Sequence, residues 1–256
     1  MIFTRCQQPF EARKGSHLRV RVLKNPHAEV LCSSQRLEAC ATSSMPDFSF
    51  EQAAIAQNFI PCGVDEAGRG PWAGPVVAAA VVLDPDNIPA GLNDSKKLTE
   101  AKREALFDPI MQSARVGIGI ASAELIDEIN ILQATYRAMH IAVIALGNHT
   151  TFALVDGNRV PPLSIRVQTI IEGDGKCLSI AAASIIAKVT RDRMMQELCL
   201  QFPEYGFSRH KGYGTAFHMA ALQRIGPCAA HRKTFKPVAA LTISGQFDSR
   251  GVFEDS

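Results

Sequence analysis

The chain has 256 residues, 46% hydrophobic and 20% charged, with a formal net charge of +2. That is enough chain for one large domain or two small ones with a real core, of ordinary globular composition. Nothing approaches the roughly 18 consecutive apolar residues of a membrane helix, and the N-terminus lacks the apolar stretch of a secretory signal.

Residues 1–44 stand apart, with 7 Lys/Arg against 3 Asp/Glu and no sustained periodicity. They read as a poorly ordered N-terminal extension or an upstream mis-start with Met45 as the true beginning; a small accessory element is the alternative. Seven cysteines (Cys6, Cys32, Cys40, Cys62, Cys177, Cys199 and Cys228) are odd in number and contain no Cys-x-x-Cys pair. That spacing argues against a disulfide framework or a zinc site and fits a reducing, cytoplasmic setting.

From Met45 the pattern predicts a short helix leading into a buried strand, "FIPCGVD". A β-rich run follows at 74–83. The segment 97–114 reads as a helix with Thr99 as its N-cap and Glu100 in its first turn, and "RVGIGIAS" (115–122) alternates as a strand does. Residues 122–147 read as one helix, capped by Ser122 and stopped by Gly147. Two short buried strands, 152–157 and 167–174, end in acids. A long helix over 179–202 has an Ala/Ser-rich first half that must pack closely. Loop and helix continue to about residue 240, and 241–256 read as a flexible tail. The tail's "QFDSRGVF" has a faint likeness to a clamp-binding peptide but lacks the hydrophobic-aromatic ending. This order describes an α/β domain over 45–240, a mixed sheet flanked by helices with a helical C-terminal portion.

Four acids stand out by position. Asp65 and Glu66 end the first strand, Asp156 ends "FALVD", and Asp174 follows "TIIEG". Singly, each reads more readily as a cap or a surface turn. Together they would repel one another unless a counter-charge joins them, and oxygen-only donors suit a hard cation such as Mg²⁺ or Mn²⁺. Two such ions about 3.5–4 Å apart can activate a water and stabilise the leaving oxygen of a phosphodiester. Residues 188–236 carry 9 basic side chains against 3 acidic ones, which suits a face that grips phosphates as well as it suits a solvated surface.

The strings "GVDEAGRGPWAGPVVAAAVVL", "NDSKKLTEAKRE", "VDGN", "EGDGKCLSIAAASIIAKVTRDRMM", "YGFSRHKGYGT" and "HRKTF", in this order, resemble bacterial ribonuclease HII over about residues 60–238. The resemblance implies a ribonuclease-H-like five-stranded mixed sheet with the acids of its first and fourth strands adjacent. It implies that Asp65, Glu66, Asp156 and Asp174 are catalytic and bind two Mn²⁺ or Mg²⁺ ions in the reactive complex. The implied activity is hydrolysis of the RNA strand of RNA–DNA hybrids and cutting 5′ to single ribonucleotides in duplex DNA, as in ribonucleotide excision repair. The implied partners are those nucleic acids, with no membrane, and the resemblance implies that the enzyme itself is a monomer.

A misplaced ribonucleotide is marked by its 2′-OH alone. Gly68 and Gly70 lack a Cβ, so their peptide groups can approach that hydroxyl, and Arg69 adds a charge for a neighbouring phosphate. A tight turn alone would explain the glycines but not the arginine. By resemblance, Gly68-Arg69-Gly70 is the ribonucleotide-recognition loop. Tyr213 matches the tyrosine that packs on the sugar of the following deoxynucleotide; without the resemblance it is a loop anchor. Lys96, Lys97, Lys188, His210 and Lys211 are the candidate phosphate contacts. Ser179 and Ser184 read as packing residues. Three rivals fit less well. A type III-like ribonuclease H would carry a distinct N-terminal substrate-binding domain. A non-catalytic nucleic-acid-binding relict would not keep its acids, and a small-molecule phosphohydrolase would not need a duplex-sized basic face.

Overall fold

The computed structural model describes residues 45–243; the expected extension over 1–44 and all of the tail beyond 243 lie outside the described residues. Five strands form one sheet in the order β3-β2-β1-β4-β5. They are β1 (Pro61–Ala67), β2 (Val76–Val82), β3 (Arg115–Ala121), β4 (Phe152–Asp156) and β5 (Arg166–Ile170). Strand β2 is antiparallel to both of its neighbours, β1 and β3, whereas β4 runs parallel to β1 and β5 parallel to β4. The sheet is therefore mixed, as expected.

Helices cover both faces. On β2, Ala78 and Ala80 join the core beneath α3 (Ala123–Ala145), while Ala79 and Val81 join the core beneath α4 (Leu178–Gln201) and α2 (Glu100–Ser113). This two-residue alternation, apolar on both sides, is that of a sheet interior buried on each face. Small residues set how closely the layers approach. A Cβ on Gly117 or Gly119 of β3 would run into main-chain carbonyls of Ala142 and Ala138 in α3, and one on Gly63 of β1 into the Ser179 backbone at the start of α4. The Ala/Ser-rich first half of α4 thus packs directly over β1.

The expected caps form: Thr99 accepts from Lys102 N at the head of α2, and Ser122 from Leu125 N at the head of α3. Helix α3 differs from the single helix expected. It breaks at Asn130 (φ 67°, ψ 162°), whose Oδ1 accepts from Leu132 N and Gln133 N and so caps the second segment. The last strand also ends sooner than expected. After Ile170 the chain leaves the sheet, Glu172 takes a left-handed conformation (φ 55°), and Asp174 lies in a short 3-10 turn, Gly173–Gly175.

The short helix α1 (Ser49–Ile55) braces that turn. Asp47 N donates to Lys176 O, and Leu178 N donates to Asp47 O. The buried Glu51 accepts from Ser179 N (2.6 Å) and Cys177 Sγ (3.2 Å), and its other oxygen has no partner among the described residues. Burial raises the Glu51 pKa, against the lowering effect of those donors. Beyond α4, α5 (Phe207–His210), α6 (Ala216–Ile225) and α7 (Lys236–Ile243) enclose a third core with Met195, Tyr205, Phe207, Leu222 and Val238. Helix α7 takes in residues 241–243, which the sequence pattern assigns to the tail. No helix among the described residues is long and apolar enough to cross a membrane.

Candidate active site

The parallel pairing of β1 with β4 aligns Val64 with Val155, so the next residue of each strand, Asp65 and Asp156, emerges beside the other. Glu66 follows on β1. Asp174 reaches the same place from its turn, because Asp156 Oδ1 accepts the Gly173 N–H (2.7 Å) and ties the turn to the end of β4. Asp65 and Asp174 are buried, and the four carboxylates lie near enough to act on one another.

Burial first, then the charges of Glu66 and Asp156, hold the Asp65 carboxyl well above the ordinary carboxylate range. Glu66 is raised by burial against the opposing pull of Arg69, whose Nη1 lies 3.2 Å from Glu66 Oε1. Asp156 is raised by burial and by Asp174, with the Gly173 N–H working the other way. Lys96 reaches in to donate to Asp174 Oδ2 at 2.9 Å. Burial alone would lower the Lys96 pKa, but its bond to Asp174 and the neighbouring acids raise it above its ordinary value.

No group of three His, Cys, Asp or Glu side chains among the described residues is already drawn together as a metal-ligand set. The carboxylates instead occupy themselves with Glu66 N, Arg69, Gly173 N and Lys96. Their chemistry nevertheless fits a hard divalent cation. The donors are all oxygen, four acids face two basic side chains, and burial, with the neighbouring carboxylates adding to it, raises three of the pKa values.

Only Ala67 separates this cluster from the Gly68-Arg69-Gly70 turn. Gly68 has φ +98°, and a Cβ there would collide with the Arg191 side chain and lie 2.8 Å from Pro75 O. The turn rests on two arginines to which the sequence reading assigns no role. Arg232 donates through Nη2 to Gly68 O (2.6 Å), through Nη1 to Arg69 O (3.0 Å), and through Nε to Gly74 O (3.0 Å). Arg191 donates to Pro75 O (2.9 Å), Ala73 O (3.2 Å) and Lys211 O (3.0 Å). Both are fully buried, and desolvation lowers their pKa values, Arg191 to about 10 and Arg232 to about 9. Arg191 falls one helical turn before the buried Met195 on α4, but a charged residue at such a position reads as surface in the sequence, so neither arginine was signalled there.

Tyr213 is half exposed and stands beside the turn, its ring carbon 3.6 Å from where a Gly70 Cβ would be. Its segment is sewn to the loop by Trp72 N donating to Gly212 O (2.9 Å), and the Trp72 ring leaves no room for a side chain at Gly214. Behind it His231 Nδ1 accepts the Cys228 N–H, so its Nε2 carries the proton and donates to His218 Nε2. His218 Nδ1 in turn donates to Tyr213 O (3.0 Å). Burial lowers His218 to about 4 and His231 to about 3, which keeps this chain of hydrogen bonds neutral.

The candidate phosphate contacts are scattered. Lys96 adjoins the acids, and Lys97 Nζ lies near Gly175 in the Asp174 turn. Lys188 pairs with Asp192 (2.7 Å) one turn further along α4. Lys211, itself left-handed (φ 50°), donates to Ser208 O and lies 3.5 Å from Glu100. His210 spends both ring nitrogens on the backbone, donating to Tyr205 O and accepting from Gly212 N. Ser184 is buried and donates to Ser95 Oγ (2.6 Å).

Residues 62–238 match the family described as Ribonuclease HII. The ribonuclease HII of Parvibaculum lavamentivorans is 54% identical over 202 residues, covering 78% of this chain and 75% of that protein. Among solved structures, the ribonuclease HII in a complex with PCNA from Archaeoglobus fulgidus superposes with a TM-score of 0.61 at 30% identity, covering 71% of this chain and 96% of that one. The ribonuclease H2 of Pyrococcus horikoshii gives 0.60 at 29% identity, covering 73% and 99%. With a family match across most of its length, four acids gathered at the ends of the interior strands β1 and β4 of a ribonuclease-H-like sheet and the glycine turn beside them, this chain belongs to the ribonuclease HII family.

Proposed function

We propose that this ribonuclease H-type endonuclease hydrolyses the RNA strand of RNA–DNA hybrids and cuts on the 5′ side of a single ribonucleotide in duplex DNA, leaving 3′-hydroxyl and 5′-phosphate ends. The observation that carries the proposal is the junction at Ala67, where a four-carboxylate cluster adjoins a turn whose Gly68 and Gly70 flank Arg69. Asp65, Glu66, Asp156 and Asp174 would hold Mg²⁺ or Mn²⁺. Bound there, such ions would lower the pKa of a water and offset charge on the leaving oxygen.

The chain's own residues position the substrate around that chemistry. Gly68 and Gly70 bring peptide groups, with no Cβ in the way, to the 2′-OH. Arg69, half exposed beyond its bond to Glu66, offers its remaining donors to a phosphate. The exposed Tyr213 ring, beside Gly70, packs on the sugar of the next nucleotide, where a deoxyribose fits and a 2′-OH crowds it. Lys96, Lys97, Lys188 and Lys211 supply phosphate contacts that place the duplex without reading base sequence. His210, with both nitrogens engaged, serves to hold the loop instead.

The test is a DNA duplex with one internal ribonucleotide, incubated with Mg²⁺ or Mn²⁺. A single product pair cut 5′ to the ribonucleotide supports the proposal. Cleavage only where several ribonucleotides run together would point to a type III-like specificity.

A further inference from the structure

We infer that Arg191 and Arg232 are positioning residues that set selectivity for a ribonucleotide junction, by locking the Gly68–Gly70 turn to the Tyr213 segment. The inference rests on the recognition roles proposed above for that turn and for Tyr213.

The geometry is unusual for buried arginine. Every hydrogen bond of these two guanidinium groups within the described residues goes to a main-chain carbonyl, and none to a carboxylate. Five of the six accepting residues lie between Gly68 and Pro75, and the sixth is Lys211, two residues before Tyr213. Arg191 therefore spans the gap, with Ala73 and Pro75 on one side and Lys211 on the other. Arg232 gathers both ends of the loop over 68–75, holding Gly68 and Arg69 at one end and Gly74 and Pro75 at the other.

Burying a charge without a carboxylate partner costs free energy, and an apolar side chain would fill the space more cheaply. The guanidinium supplies what an apolar group cannot: donors in a fixed planar fork that hold several carbonyls at set angles at once. An ammonium on a flexible stem reaches fewer of them. The arrangement thus fixes the distance between two surfaces that must touch adjacent sugars of one strand, Gly70 on the ribose side and Tyr213 on the deoxyribose side. It also leaves two positive charges beneath a turn that meets a polyanion.

The test compares the wild type with Arg191→Lys on a single-ribonucleotide duplex and on a long RNA–DNA hybrid, alongside thermal unfolding. A hybrid presents a ribose at every step, so it depends less on the spacing between turn and tyrosine. The expected result is a fall of about tenfold in the ratio of single-ribonucleotide to hybrid cleavage, the scale of loss that small misplacements cause. Tyr213→Ala should then lower that ratio less in the Arg191→Lys background than in the wild type, because the two changes break one device. Should Arg191→Lys not fold, Trp72→Phe loosens the same junction at Gly214 without touching a buried charge, and should shift the ratio in the same direction. Failure of the wild type to cut the single-ribonucleotide duplex overturns the recognition roles and this inference with them. A wild type that cuts it, with variants that keep its ratio or show fully additive losses with Tyr213→Ala, overturns this inference alone.

Discussion

Asp65 and Asp156 stand side by side because β1 and β4 run parallel in a register that pairs Val64 with Val155 one residue earlier. A slip of one residue would send one carboxylate to the opposite face of the sheet. The acid pair is thus a property of strand register, and Asp174 joins it through the Gly173 N–H that Asp156 accepts.

Asp65→Asn should abolish cleavage, by about three orders of magnitude or more, while keeping the fold. Asn can still accept from Glu66 N as Asp65 does. The metal-free variant should be more stable than the wild type, because a buried charge among like charges is removed. A rise of a few degrees in the unfolding midpoint is expected, at about 2–4 °C per kcal/mol for a chain of this size. A lower midpoint would show that the cluster does not strain the metal-free protein.

That advantage should depend on pH with a definite sign. Asp65, Glu66 and Asp156 have folded pKa values raised above their ordinary 3.8, 4.5 and 3.8. The native state therefore binds more protons than the unfolded chain at mildly acidic pH. Their contribution to stability is whole below the ordinary values and is lost as pH rises through the raised ones. The gap in midpoint between Asp65→Asn and the metal-free wild type should widen from about pH 4 upward. Mg²⁺ or Mn²⁺ should stabilise the wild type more as the acids ionise, and should do less for the variant. Melting curves over a pH series, with and without metal, check both.

The two glycines of the turn should respond differently to alanine. At Gly68 the positive φ and the contacts with Arg191 and Pro75 O make Gly68→Ala costly, by about 1–3 kcal/mol of stability. Gly70 has an ordinary contact with the Tyr213 ring as its nearest neighbour, so Gly70→Ala should change stability by about 0.5 kcal/mol or less. If the 2′-OH is read here, Gly70→Ala should still lose single-ribonucleotide cleavage. Denaturant titration paired with cleavage assays separates the two effects.

Most of the sheet was legible because its strands are short apolar runs bounded by glycine, proline and charge. The caps at Thr99 and Ser122 were legible for the same local reason. The end of β5 was not, since "TIIEGDG" continues to look like strand until Glu172 turns left-handed to let Gly173 meet Asp156. The break at Asn130 was hidden inside an unbroken apolar pattern. The arginine supports were out of reach: a charged residue in sequence reads as surface, and Arg232 meets Gly68 O across 164 positions of the chain. The resemblance marked "HRKTF" as a block without saying what it does.

Glu51 extends the site's support beyond the strands. Glu51→Ala removes the acceptor for Ser179 N and Cys177 Sγ at the head of α4, just after the Asp174 turn. It should cost about 1–3 kcal/mol for the donors left buried, whereas Glu51→Gln keeps a carbonyl oxygen and should cost less. Equal losses for the two variants, read by denaturant unfolding, would show that the carboxylate charge matters rather than the acceptor.

The most direct measurement is product mapping on a duplex with one ribonucleotide, with the wild type and Tyr213→Ala side by side in Mg²⁺ or Mn²⁺. The wild type should cut once, on the 5′ side of the ribonucleotide, and Tyr213→Ala should lose that cut more than it loses cleavage of a long hybrid. Absence of the cut in the wild type, or equal losses on both substrates, would contradict the account of a glycine turn and a tyrosine reading one sugar junction beside a carboxylate cluster.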